Sequence, residues 1–123
     1  MATLFQRLGG ESAIMATVGL FYEKVLADER TKAFFDGLPM DAQVQKQMAF
    51  MAWAFGGPRE YQGRDLREAH AKLVKRGLGD AEFDVVVSHL EATLRELNVA
   101  GDLIAEVLAI VEGTRNHVLG RGP

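Results

Sequence analysis

Three histidines and no cysteine limit any metal this chain binds to imidazole, carboxylate or a group that brings its own donors. Thiolate chemistry, iron–sulfur clusters and cysteine-attached heme are excluded. His70 shares a helical face with Leu66, Ala69 and Leu73. A buried, neutral imidazole bonded to a backbone carbonyl accounts for that position as it stands. In the functional alternative one ring nitrogen binds a metal and the other is oriented by a nearby acceptor. A lone histidine does not build a zinc site, which takes three or four protein ligands. Heme differs, because its porphyrin supplies four nitrogens and the protein need supply only one axial ligand. If His70 binds a metal, heme suits this ligand-poor sequence better than zinc.

A second set of polar side chains could meet such a centre. Gln43, Lys46 and Gln47 fall at i, i+3 and i+4 and so share a face. Met40, Phe50, Met51 and Ala54 extend that neighbourhood with apolar groups. Tyr22 sits inside an apolar stripe on an earlier helix, where a buried hydroxyl needs a partner. One tyrosine, two glutamines and a lysine could ring a small ligand on iron. A solvated polar stripe and a tyrosine with its tip at the surface account for the same spacings, and spacing alone does not separate the two.

The elements that must position these residues read as helices. Ile14, Val18, Phe21, Tyr22 and Val25 form one face of the first. Asp28, Glu29 and Arg30 interrupt it, and a short Ala33-Phe34-Phe35 segment precedes Gly37 and Pro39. A second helix is expected from Asp41, a good N-cap type, to Phe55, ended by Gly56-Gly57-Pro58. Residues 58–64 read as loop, and a shorter helix from Leu66 to Val74 stops before Gly77 and Gly79. Asp80 is expected to cap the next helix, with Phe83, Val86, Val87, Leu90 and Leu94 on one face. His89 flanks that stripe and reads as a surface residue. A final helix after Asp102 carries Leu103, Val107, Ile110 or Val111, and Val118. Four main helices with short connecting ones make the fold class all-α, in one domain spanning 1–123.

Composition is consistent with that reading. With 123 residues, 48% of them hydrophobic, the chain can bury one real core. The 14 basic and 17 acidic residues are spread along it, and a net charge of −3 makes no electrostatic case for nucleic acid or an anionic membrane. No apolar stretch spans a bilayer, and Met1–Gly10 lacks the basic-then-apolar pattern of a secretory signal. A cytoplasmic monomer is the expectation.

Specificity comes from motifs spread over the chain. These are Leu8-Gly9-Gly10, Phe21-Tyr22 with Val25-Leu26-Ala27-Asp28, Phe34-Phe35 and Ala54-Phe55-Gly56-Gly57. Tyr61, Gly63-Arg64, Glu68-Ala69-His70, Gly77-Leu78, Phe83-Asp84 and Asp102-Leu103-Ile104 follow. In this order and at these spacings, from about Leu4 to Leu119, the chain resembles the group I truncated hemoglobins. The resemblance implies a two-on-two helical sandwich around heme b. It puts the proximal iron ligand on His70, the distal tyrosine on Tyr22, and distal-helix positions on Gln43, Lys46 and Gln47. It implies heme contacts from Phe34, Phe35, Phe50, Leu66, Leu73, Phe83 and Val87, with Tyr61 and Arg64 near the propionates. The implied activity is reversible binding of O2, NO or CO, with Tyr22, Gln43 and Gln47 stabilising the ligand. Such a pocket would support NO dioxygenation to nitrate, with electrons from an external reductase, or O2 storage and scavenging. Two alternatives stay open: an electron-transfer or redox-sensing heme protein with Lys46 as sixth iron ligand, and a helical interaction domain without cofactor.

Two departures from the family pattern matter. Some cyanobacterial members carry, where this chain has Lys46, a histidine that closes on the iron. A lysine can do so only as a neutral amine, against a reference pKa of ~10.4, so Lys46 is expected to be a propionate partner or a solvent-facing charge. Some relatives also bond a last-helix histidine to a heme vinyl group. Alignment through Asp102-Leu103-Ile104 puts that position at Thr114 to Asn116, and one residue of offset turns a helical side chain by ~100°. His117 is therefore expected to be an exposed terminal residue rather than an attachment point.

Overall fold

The computed structural model of the chain describes residues 2–56 and 70–121, and no strand occurs among them. Helix α1, Leu4–Leu8, opens on a reciprocal cap: Thr3 Oγ1 accepts from the Gln6 amide at 3.2 Å, and Gln6 Oε1 accepts from the Thr3 amide at 3.0 Å. Gly9 turns the chain into α2 at φ 118°, and a Cβ there would lie 3.0 Å from that of Ala13. Only glycine takes that corner without strain.

Helix α2, Gly10–Ala27, buries Ile14, Val18, Phe21, Tyr22 and Val25, the stripe read from the sequence. The fully buried Thr31 donates its hydroxyl to the Val25 carbonyl at 2.7 Å, folding the chain back beneath the end of α2. The short 3-10 helix Lys32–Phe35 follows. Helix α3, Met40–Ala54, begins ahead of the expected Asp41: Pro39 is the N-cap, and Asp41 sits in the first turn. A carboxylate there still favours the exposed amide end of the helix. The Phe5 amide donates to the Phe55 carbonyl at 2.8 Å and ties the end of α3 to α1.

Residues 70–75 are helical, and Gly77 at φ 107° ends that segment as expected. Helix α4, Asp80–Glu96, is not capped by Asp80. Gly79 holds the cap position, and its amide donates to Glu82 Oε1 at 3.0 Å. The Asp80 carboxylate instead accepts from Arg115 and Arg121. The expected final helix divides into α5, Gly101–Glu112, and α6, Arg115–Val118. At the break, Thr114 turns both its amide and its hydroxyl onto the Val111 carbonyl.

Helix α2 packs on α3 and α4, α1 on α2 and α5, and α4 on α5. The side chains gather into two apolar clusters. The larger joins Ile14, Val18, Val25, Met51, Leu94 and Val107, and the smaller joins Phe34, Leu73, Leu78, Phe83, Val118 and Leu119. His89 is not a surface residue. Its side chain is 19% exposed, and Nε2 lies 2.7 Å from Asp28 Oδ2 at the end of α2. Arg30 also binds that carboxylate and, with His89, holds Asp28 well below the usual carboxylate range. A partner 61 residues away in the chain leaves no local trace in the spacing around His89.

Candidate functional site

A cavity of about 410 Å³ opens between α2, α3, residues 70–78, α4 and the C-terminal turns. That size suits a small-molecule site, for which ~300–1,000 Å³ is usual. Its walls are largely apolar, with several aromatic rings. Phe34 and Phe35 come from the 3-10 helix, Phe50 from α3 and Phe83 from α4, and Leu73 and Val87 complete the predicted apolar lining.

Three polar side chains reach the cavity from α3. Gln43, Lys46 and Gln47 all line it, so their common face points inward rather than forming a detached surface stripe. Gln43 and Gln47 are half-buried, whereas Lys46 is exposed and so sits at the solvent-connected rim. Tyr22 reaches the same space from α2 and is only 5% exposed. Its ring packs edge-on against Phe21 and Phe35, with centroids 5.2 and 5.6 Å away. Burial pushes the Tyr22 phenol up to about 12, opposed in part by its hydrogen bond with Gln43. The alternative of a tyrosine with its tip at the surface does not hold.

His70 lines the cavity from the first described turn of its own segment and is half-buried. Among the described residues no group of three or more His, Asp or Glu side chains could hold a metal ion. The donor set therefore suits a group that arrives with most of its own ligands and takes one imidazole from the protein. Largely apolar walls, one imidazole and a set of neutral donors fit a flat, apolar, iron-carrying ring. Leu66, Tyr61 and Arg64 lie outside the described residues.

Several lining residues escaped the sequence reading. Val86 and Leu90 sit on the recognised α4 stripe, whose period marks them as inward but does not say which space they face. Val111, Thr114 and Val118 come from the C-terminal turns, which fold onto the cavity through long-range packing. Thr114 lines the cavity and His117 does not. His117 is half-buried rather than exposed, since α6 packs Val118 and Leu119 into the smaller cluster.

That corner is braced by charge. The Arg115 guanidinium stacks 4.5 Å above the Phe83 ring. It donates to Asp80 at 3.0 Å, to Glu112 at 2.6 Å and to Asp84. One side chain thus joins the start of α4, the end of α5 and α6.

The family model described as bacterial-like globin matches residues 3–120. A group 1 truncated hemoglobin of Synechocystis sp. is 49% identical over 111 residues, covering 89% of this chain and 90% of that protein. One from Tetrahymena pyriformis is 43% identical, covering 97% and 96%. Among solved structures, the 2/2 hemoglobin of Synechococcus sp., in the cyanomet state with covalently attached heme, superposes with a TM-score of 0.92 at 48% identity. That match covers 98% of this chain and all of the other.

Proposed function

The chain belongs to the bacterial-like globins, and we propose that His70 is the proximal iron ligand of a heme b that binds O2, NO or CO, with Tyr22, Gln43 and Gln47 steadying the ligand. Heme b is the cofactor of this family, and the all-helical fold is that of the 2/2 hemoglobins. The carrying observation is one cavity that joins a single imidazole to a buried phenol and two amides within largely apolar walls.

When bound, heme supplies the iron that takes diatomic gases and changes charge by one electron. Tyr22 keeps its proton across the physiological range, since burial pushes it up to about 12. Its hydroxyl and the Gln43 and Gln47 amides are neutral groups that can donate to a ligand carrying partial negative charge. Such donors slow ligand release, which favours scavenging chemistry over delivery. NO dioxygenation then joins NO, O2 and one electron to give nitrate, with the electron from an external reductase. Phe34, Phe35, Phe50, Phe83, Leu73 and Val87 exclude water from the ring faces. Leu66 is proposed to extend the wall beside His70, and Tyr61 and Arg64 to meet the propionates.

Stopped-flow measurement of O2 dissociation tests the distal assignment. Both Tyr22→Phe and Gln47→Leu should release O2 faster, by roughly tenfold for each ~1.4 kcal/mol of lost hydrogen bond. Unchanged rates in both would remove these residues from the ligand's surroundings.

A second reading makes Lys46 a sixth iron ligand. Lys46 does line the cavity, but its exposure supports a charged rim residue close to solvent. An alkaline titration of the ferric spectrum decides. A low-spin conversion that disappears in Lys46→Ala would establish lysine ligation, and its absence would leave Lys46 as a rim charge. Thr114 rather than His117 faces the cavity, so the heme is proposed to be held without the covalent link of the Synechococcus protein.

A further inference from the structure

Resting on the heme-binding reading above, we propose that Arg76 is a positioning residue that clips the His70 segment to the Phe34–Phe35 turn and so sets how tightly the cavity holds its ring. Arg76 Nη1 donates to the Phe34 carbonyl at 3.0 Å and to the Asp36 carbonyl at 3.2 Å, across 42 and 40 residues of chain. Both acceptors lie at the end of the 3-10 helix Lys32–Phe35. Terminal carbonyls there have no donor within the helix and carry its negative end. A guanidinium with several fixed N–H groups suits them better than a point charge.

The root of the clip is fixed as well. The Arg76 amide donates to Lys72 and Leu73, and the Leu78 amide closes back on Leu73 at 3.0 Å. Gly77 takes the left-handed conformation that this closure needs. Between the two segments that the guanidinium joins, Phe34, Leu73 and Leu78 belong to one buried apolar cluster. One face of that cluster is cavity wall: Phe34 and Phe35 line it from one segment, His70 and Leu73 from the other. The bond to Phe34 therefore fixes the backbone from which a wall ring projects. It also fixes the distance from that ring to the helical turns that carry His70.

The acceptors are neutral carbonyls, so the clip should resist salt, unlike a contact to a carboxylate. Arg76→Met keeps the apolar stem and removes the donors, and Arg76→Lys keeps a cation with partial reach. Hemin transfer from the holoprotein to excess apomyoglobin should accelerate about 3- to 10-fold in Arg76→Met, the equivalent of one net hydrogen bond. Arg76→Lys should fall between it and wild type. The ferrous iron–histidine stretching band should broaden or shift in Arg76→Met and return in Arg76→Lys. Equal transfer rates in Arg76→Met and wild type, or a wild-type rate whose salt dependence vanishes in Arg76→Met, would overturn the proposal. Hydrogen exchange of the protein without heme separates this from the heme reading. The Asp36 and Leu38 amides should exchange faster in Arg76→Met while those of α2 do not, and no local change would overturn the clip even if hemin binds. A wild-type protein that takes up no hemin would instead overturn the heme reading.

Discussion

The two apolar clusters meet the cavity to different extents. Val18, Val25, Leu94 and Val107 of the larger cluster are at most 2% exposed and do not line the cavity, and the ion pairs Lys24–Glu96 and His89–Asp28 link α4 to α2 and its end around them. Phe34, Leu73, Phe83 and Val118 of the smaller cluster are 6–8% exposed, and all four line the cavity. Charged side chains brace that wall as well: Arg115 spans three carboxylates and covers Phe83, and Arg76 donates to the Phe34 carbonyl. A wall that must accept a large flat ring cannot also be packed to completion. Hydrogen bonds and ion pairs at its back hold its shape while its face stays open.

The sharpest way to test that contrast is to cut one side chain from each region. Leu94→Ala should cost about 2–5 kcal/mol in urea unfolding of the heme-free protein, with little dependence on salt or on pH between 4 and 9. Arg115→Met should cost less, and its effect should fade in high salt, since its partners are exposed.

The Arg115 effect should also fade in acid. Its partners Asp80 and Glu112 are held below their ordinary values of 3.8 and 4.5 by hydrogen bonds, from Arg121 and Arg115 to Asp80 and from Arg115 to Glu112. A depressed carboxylate stabilises the fold above its unfolded value, and that contribution is lost as pH falls through the folded value. The stability gap between wild type and Arg115→Met should therefore begin to narrow near pH 4 and go on narrowing as pH falls further. A gap that stays constant down to pH 3 would mean that Arg115 acts through packing on Phe83 and not through charge.

Tyr22 belongs to the larger cluster and, like Phe21, Phe50, Met51 and Leu90, also lines the cavity. Its folded value is raised from 10.0 to about 12. The preference for the neutral phenol is thus complete below pH 10 and is lost as pH rises towards 12. Stability should drop through that window in wild type, and Tyr22→Phe should remove that part of the drop.

Local pattern carried much of this architecture. The stripe from Ile14 to Val25 and the α4 stripe from Phe83 to Leu94 both place their helices, because burial on one face repeats with the helical period. The shared, cavity-lining face of Gln43, Lys46 and Gln47 was legible for the same reason, as the three fall on one side of one helix. The cap positions were not. Asp80 has a good cap side chain, but two arginines from the far end of the chain compete for its carboxylate. His89 misled for the same reason, since Asp28 reaches it through tertiary packing. The C-terminal wall from Val111 to Val118 was invisible as wall, because only the folded chain decides which apolar face meets a cavity.

The most direct test of the heme assignment is a hemin titration of the purified protein, followed in the Soret region and after reduction under CO. Wild type should bind one hemin per chain and give a histidine-ligated carbonyl spectrum. His70→Gly should lose that proximal signature and recover it when imidazole is added. Absence of a Soret band in wild type, or a His70→Gly spectrum identical to wild type without imidazole, would contradict the role assigned to His70.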